Sequence, residues 1–404
     1  MGTQQRSYHV IAPWSFSRAD GPWPQIRSKR SRRETTRKNS QKQEALLEEW
    51  GVFEWYRDRL KQKEDPRRKL KGEPHPFGAV PLVMTSVAVR DFRNRFPDAL
   101  LLPRSFIRLP ARARVLGAGK PSPEANDLWY LDEIGATLAH AKAVRGAGVT
   151  VALIDSGVDS GHAEFAGKNI RSRMFDPTSG VPLGLSDGDT VGHGTQMASL
   201  IAGLTTGVAP AADIIDVKVL RDGVATSDAL LSALNWVLTD ASANIVNMSW
   251  GFSSHKPALE PVINQLLAAG ILTVCASGDS GPGTAACPGD FDAGLTVGST
   301  ARDGKVSSFS SSKEISNSGQ SIRVPDLVAP GEDVGCARSG GGYDIGSGTS
   351  HSSALASGAA ALFLEARGKS STVHDLMATM ILHCTALDPS DRAGKGLLRY
   401  GMPA

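Results

Sequence analysis

The chain holds a carboxylate, an imidazole and a hydroxyl in settings suited to nucleophilic catalysis. Asp155 closes the apolar run 151–154 and is followed by Ser-Gly, which puts its carboxylate at a strand terminus. His193 lies between two glycines in DGDTVGHGTQMASLIAG, at the entrance to an apolar helix over 197–203. Glycines on both sides leave room for a substrate backbone beside the imidazole. Ser350 opens the small-residue helix of SGTSHSSALASGAAALFLEA. Its hydroxyl therefore sits at a helix N-terminus, where free N–H groups and the dipole favour developing negative charge. Each residue alone has an ordinary explanation: a turn-forming Asp, a structural His, a Ser N-cap. In the order Asp…His…Ser, each with flanking glycines, they make a set able to attack a carbonyl carbon.

The blocks IDSG around Asp155, GHGT around His193 and SGTS around Ser350 resemble those of the subtilisin-like serine peptidases, the subtilases. VNMSWG (246–251) is similar to that family's substrate-binding strand, and VPDLVAPG (324–331) to its segment before the serine. The resemblance covers about residues 128–402. It implies an α/β fold with a mostly parallel central sheet flanked by helices on both faces. It also implies a serine endopeptidase working through an acyl-enzyme. His193 would take the proton of Ser350 and pass it to the leaving amine, while Asp155 fixes the imidazole tautomer and steadies the imidazolium. By the same resemblance Ser249, Trp250 and Gly251 pair with an extended polypeptide substrate as an added strand. Ala285, Ala286 and Cys287 would line the pocket for the side chain before the cut, and their small size favours an apolar, uncharged group.

One position departs from the family pattern. Where an Asn normally donates to the tetrahedral oxyanion, the segment CASGDSG (275–281) has Asp279, which would share the oxyanion site with the Ser350 backbone N–H. An ionised carboxylate repels that charge, and losing such a donor costs about 10²–10³ in turnover. Two routes stay open: burial keeps Asp279 protonated and able to donate, or the Ser350 N–H serves alone. The SGDSG string also resembles the sedolisins, acid-active relatives with Asp at this place; those carry Glu instead of His, whereas His193 is present here. Gln196, where the family often has His, and Ala354, where it usually has Pro, touch none of the proton-transfer groups. The alternatives to an active endopeptidase are a catalytically weak pseudo-protease that binds peptides and a sedolisin-like peptidase with an acidic optimum.

Regular elements must bring these residues together. After residue 127 the β-branched runs VTVALID, IIDVKVL, NIVNMSW and ILTVCAS alternate with helical KAVRGAG, SDALLSALNWVLTDA and PALEPVINQLLAAG. That alternation indicates βαβ units and a parallel sheet covered on both faces. Functional groups in such sheets collect beyond the carboxyl ends of the strands. Residues 127–404 are therefore expected to form the catalytic domain.

Residues 1–75 are expected to form a basic, partly disordered arm with an amphipathic helix at about 41–63. The stripe Leu46, Leu47, Trp50, Phe53, Tyr56 and Leu60 has helical spacing. Residues 76–126 read as strand, short helix from Asp91 to Arg95, strand, and a Gly/Pro/Ala-rich linker. The ending FPDALLLPRSFIRLP bears a faint likeness to the family's propeptides, with cleavage expected in or near 111–126. Charge divides the same way: 26 Lys/Arg against 13 Asp/Glu in 1–126, and 18 against 28 in the remainder. Intramolecular docking of the basic N-terminal segment on its acidic body follows from that asymmetry. Nucleic-acid binding through 27–42 and 57–71 is the lesser use of the same charge.

Composition excludes several classes. With 41% hydrophobic and 21% charged residues the chain is an ordinary globular one, and no run approaches the roughly 18 apolar residues of a membrane span. The start lacks a basic region followed by an apolar stretch, so no signal peptide is seen and a cytoplasmic location is expected, with secretion by another route left open. The four cysteines show no CxxC spacing and are expected as buried thiols, with one disulfide open in an oxidising compartment. HExxH is absent and the nine histidines lack ligand spacing, which argues against a metallopeptidase. No cofactor is required by the sequence and no metal-binding residues are assigned; structural calcium enters only through the family resemblance.

Overall fold

The computed structural model describes residues 5–11, 29–60, 77, 79–109, 119–317, 320–368 and 371–401. The N-terminal part contains β1 (Gln5–Ile11), α1 (Lys29–Glu49), α2 (Val52–Leu60), β2 (Val80–Thr85), α3 (Ser86–Arg95), β3 (Leu100–Pro103) and β4 (Phe106–Arg108). Next come α4 (Trp129–Glu133), α5 (Ala136–Ala141), β5 (Thr150–Asp155), β6 (Arg171–Phe175), β7 (Pro182–Gly184), α6 (His193–Ala202) and β8 (Asp213–Lys218). They are followed by β9 (Val224–Thr226), α7 (Ser227–Trp236), β10 (Ile245–Met248), α8 (Glu260–Ala268), β11 (Leu272–Ala276) and β12 (Leu295–Thr300). The chain closes through β13 (Lys313–Asn317), β14 (Gln320–Val324), β15 (Leu327–Pro330), β16 (Val334–Ala337), β17 (Tyr343–Gly346), α9 (Thr349–Arg367), α10 (Val373–Leu382), β18 (Cys384–Thr385), α11 (Ser390–Ala393) and β19 (Leu397–Leu398).

Ten strands form one sheet in the order β18-β19-β15-β12-β11-β10-β5-β8-β6-β7. From β19 to β6 every neighbouring pair is parallel, and only the edge strands β18 and β7 run antiparallel. The central strands are continuous apolar runs because both of their faces are covered: β10, β11, β12 and β15 are buried at every residue. Helix α9 lies along β10, β11, β12 and β15 and packs on α6, while α7 and α8 contact β6 and β11. This is the α/β architecture expected, a mostly parallel sheet flanked by helices. The predicted helix over KAVRGAG is instead a turn after α5, which ends at Ala141.

The N-terminal part is more regular than its sequence suggests. Strand β1 sits between β2 and β3, antiparallel to both, so residues 5–11 join the unit beyond residue 76 and cross the boundary expected at 75. Helix α1 starts at Lys29 rather than about 41, and the chain turns at Trp50 and Gly51 before α2. Leu47, Phe53 and Tyr56 of the apolar stripe pack with Val80, Leu82, Met84 and Phe92 in a separate small core. The Leu60 side chain, the basic stretch 61–71 and the linker 110–118 lie outside the described residues. Helix α3 begins at Ser86, ahead of Asp91, because the Thr85 hydroxyl accepts the Ala88 N–H and caps it.

This unit meets the rest of the chain in several places. On one side, α1 lies on the π-helical turn Val237–Ala241. Arg32, 3% exposed, donates to Ala243 O at 2.6 Å, and Arg33 pairs with Asp240. Arginines on the carbonyls that end a helix complement its negative pole. On the other side, β4 pairs antiparallel with β9, Arg108 bridges Gly251, and Leu109 N–H donates to Gly223 O at 3.0 Å. Ile107 is completely buried there, whereas Phe106 is 61% exposed.

Candidate active site

Strand β5 is where sheet building changes direction: β8 and β6 lie to one side, β10 to β15 to the other. Such a switch point leaves a crevice beyond the carboxyl ends of the strands. Asp155 enters it from the end of β5, Ser249 and Gly251 follow β10, and Asp279 follows β11.

Asp155 and His193 are both completely buried. The His193 Nδ1 lies 2.8 and 2.9 Å from the two oxygens of Asp155. Nδ1 therefore carries the proton, and Nε2 is the acceptor. The Ser156 N–H gives Asp155 Oδ1 a further hydrogen bond at 2.8 Å. Burial alone lowers the His193 pKa, but the charge and hydrogen bond of Asp155, with Asp189 and Asp279 behind them, outweigh it and raise the value. His193 is the first residue of α6, which starts four residues ahead of the helix expected over 197–203. Its flanking glycines also have structural causes. Gly192 turns the chain at φ 96°, and a Cβ on Gly194 would stand 2.0 Å from Gly157 O.

Ser350 is the second residue of α9 and is 1% exposed. Its hydroxyl donates to Ser249 O at 3.0 Å, and His193 Nε2 has no hydrogen-bond partner. Helices α6 and α9 pack directly on one another, yet no hydrogen bond joins His193 to Ser350. Such bonds often tighten only when substrate is bound.

The predicted substrate-binding residues divide. Ser249 Oγ bonds to Asn247, Ser353 and the Ser350 carbonyl, and Trp250 Nε1 donates to Ile154 O at 2.6 Å, so both side chains serve the interior. Gly251, Ala285 and Ala286 line a cavity of about 510 Å³, together with Phe252, Gly278 and Asp279. Phe106, Arg108 and Leu109 form its rim. A Cβ on Gly251 would come 2.8 Å from the Ala286 methyl, so this wall tolerates only glycine. Cys287 holds Phe252 through backbone hydrogen bonds, and its buried thiol is not part of the lining. All four cysteines are buried free thiols, whose pKa values burial pushes up.

Asp279 also lines the cavity, but one oxygen is engaged. The Thr349 N–H and hydroxyl both donate to Oδ1 at 2.8 Å, so the carboxylate caps α9 one residue ahead of the nucleophile. His351, next to Ser350, escaped the sequence reading because nothing but its adjacency marked it. It is 1% exposed, and both ring nitrogens lack hydrogen-bond partners. Burial, helped by the nearby His193 charge, pushes its pKa down to about 3. Among the described residues no three His, Cys, Asp or Glu side chains converge to hold a metal ion, so the calcium suggested by resemblance finds no such cage among them. No helix among them is long and apolar enough to cross a membrane.

Comparison with known proteins places these features. The model of the subtilase family matches residues 146–400. The chain is 34% identical over 242 residues to alkaline elastase YaB of Bacillus sp. (strain YaB), covering 58% of this chain and 59% of that protein. It is 31% identical to the subtilisin-like protease PopC of Myxococcus xanthus (strain DK1622), over 70% of this chain and 66% of PopC. An alkaline protease of Shouchella clausii is 31% identical over 71% of this chain and 70% of its own length. The chain thus spans less than two thirds of the first two of these relatives.

Proposed function

Because the chain belongs to the subtilase family of subtilisin-like serine peptidases, we propose that it is an endopeptidase that cleaves extended polypeptides through an acyl-enzyme on Ser350. The observation that carries this reading is the Asp155–His193 pair, which fixes the tautomer with Nε2 as the acceptor for the Ser350 proton. As the hydroxyl swings from Ser249 O to Nε2, its oxygen attacks the substrate carbonyl and His193 becomes the imidazolium that Asp155 stabilises. The imidazolium then protonates the leaving amine, and water reverses the sequence to free the acid. The Ser350 N–H, at the start of α9, faces the developing oxyanion. The cavity floor of Ala285 and Ala286 suits an apolar side chain before the cut.

The N-terminal unit fits the role of a self-inhibitor. Strand β4 fills the place between β9 and Gly251 that an added substrate strand would take. Cleavage in the 110–118 region would free its carboxyl end.

Fluorophosphonate labelling tests the central reading: Ser350 reacts in the wild-type chain and the Ser350→Ala variant takes up none. A folded chain whose Ser350 stays unlabelled overturns it. A second reading, a weakly active or acid-active peptidase, is favoured by the Asp279 carboxylate. A peptide-library cleavage profile over a pH series separates it from the first.

A further inference from the structure

The loop before α6 has one carboxylate that the proposed chemistry does not use. Helix α6 starts with His193, and its N-cap residue is Gly192, which has no side chain to accept the free N–H groups of the first turn. Asp189 supplies the missing acceptor from outside the helix. Its Oδ1 accepts from Gly192 N–H (2.8 Å), Val191 N–H (3.0 Å) and the Ser156 hydroxyl (2.9 Å). Its Oδ2 accepts from the Thr195 N–H (2.8 Å) and hydroxyl (2.7 Å). Ser156 Oγ in turn accepts the Gly194 N–H at 3.0 Å. The backbone N–H groups of residues 191, 192, 194 and 195, which bracket His193, are thus tied to Asp189 or to Ser156. Ser156 is also the residue that follows Asp155 and donates to it.

We propose that Asp189 is a positioning residue for the reaction, locking the first turn of α6 to the end of β5 so that His193 and Asp155 keep their register. This rests on the reading of His193 as the general base. The geometry gives a reason for its weight: sliding α6 along β5 would break both the Ser156–Asp189 and the Gly194–Ser156 hydrogen bonds. Its negative charge also acts on His193, in the same direction as Asp155 and Asp279. The other titratable group facing the ring is His351 on α9. Around Asp189 itself stand Asp216, inside β8, and the Lys218–Asp187 pair at the end of that strand.

The test uses full-length variants assayed on one extended peptide over a pH series, with kcat expressed per serine titrated by a fluorophosphonate. Asp189→Asn keeps the shape but turns one acceptor into a donor facing Thr195 and removes the charge. It is expected to lower kcat about 10²-fold, the scale of a misplacement of about 1 Å, with KM changed less than threefold. Losing the charge lowers the His193 pKa, so the acidic limb of kcat/KM moves to lower pH. Thr195→Val, which removes one donor to Asp189 and the acceptor of the Asp159 N–H but leaves the charge, gives a smaller loss of kcat with the limb in place. A kcat per titrated site within twofold of wild type, or an Asp189→Asn limb that does not move, overturns the inference. If the wild-type serine fails to label at all, the reading of the site fails first, and the two failures are told apart.

Discussion

The two sides of the cleft differ in how fully their polar groups are satisfied. On the His193 side, Asp155, Ser156 and Asp189 take hydrogen bonds from backbone and side chains at 2.7–3.0 Å, and the imidazole is locked between two oxygens. On the Ser350 side, the nucleophile points at Ser249 O, and the ring nitrogens of His351 are buried without partners. A buried polar group left unsatisfied costs about 1–3 kcal/mol. The lesson is a division of labour. Around Asp155 and Asp189 the bonds that set direction are made, and the imidazole keeps Nε2 open, the atom that the proposed reaction uses. On the other side both His351 nitrogens stay orphaned.

Three substitutions break or sharpen that contrast. Ser350→Ala removes the group that the whole arrangement serves, and kcat should fall by about 10⁶-fold, the scale for losing the nucleophile of such a triad. A residual rate near wild type, measured per mole of folded protein in the peptide assay, would mean that another residue attacks. Asp279→Asn comes next in size. The Asn carbonyl can still accept from Thr349 while its amide donates to the oxyanion, so the rate at neutral pH should rise by about 10²-fold. An unchanged or lower rate between about pH 5 and 8 would assign the oxyanion to the Ser350 N–H alone. His351→Leu has the smallest effect and is read in stability. It removes the orphaned nitrogens and should stabilise the fold by about 1–2 kcal/mol in urea unfolding at neutral pH.

The sign of the pH effect at His351 follows from its depressed pKa. The unfolded chain takes up a proton below the ordinary value of 6.5, while the folded chain refuses it down to about 3. Wild type therefore loses stability as pH falls through that window, and the Leu variant does not share this loss. The gap between the two should widen from neutral pH to about pH 4.5, which paired unfolding curves would show.

Much of this was legible in the sequence. The three reactive residues stand on short glycine-flanked blocks next to strong apolar runs, and the parallel sheet announces itself through fully buried strands. What escaped depends on distant partners. Strand β1 is seven residues of a polar arm, and its pairing with β2 and β3, some 70 to 95 positions later, puts Val10 in the small core and Ile11 in the large one. Helix α1 carries a basic N-terminal half, and its anchorage needs the carbonyl of Ala243. Resemblance put Trp250 on the substrate strand, and the inward turn of its ring toward Ile154 O shows only once β5 and β10 are paired. Asp189 drew no reading from the sequence, and its bond from the Ser156 hydroxyl exists only when the start of α6 and the end of β5 are side by side.

Strand β4 has a further consequence for anyone measuring this protein. On the self-inhibitor reading proposed above, β4 is a segment tethered to the substrate groove at an effective concentration of order millimolar, comparable to or above typical KM values of about 1 μM to 1 mM. A dissolved peptide at modest concentration competes poorly against Ile107 and its neighbours. Progress curves from the intact chain will then begin with a lag, and the length of that lag will report on departure of a strand while the later slope reports on bond cleavage.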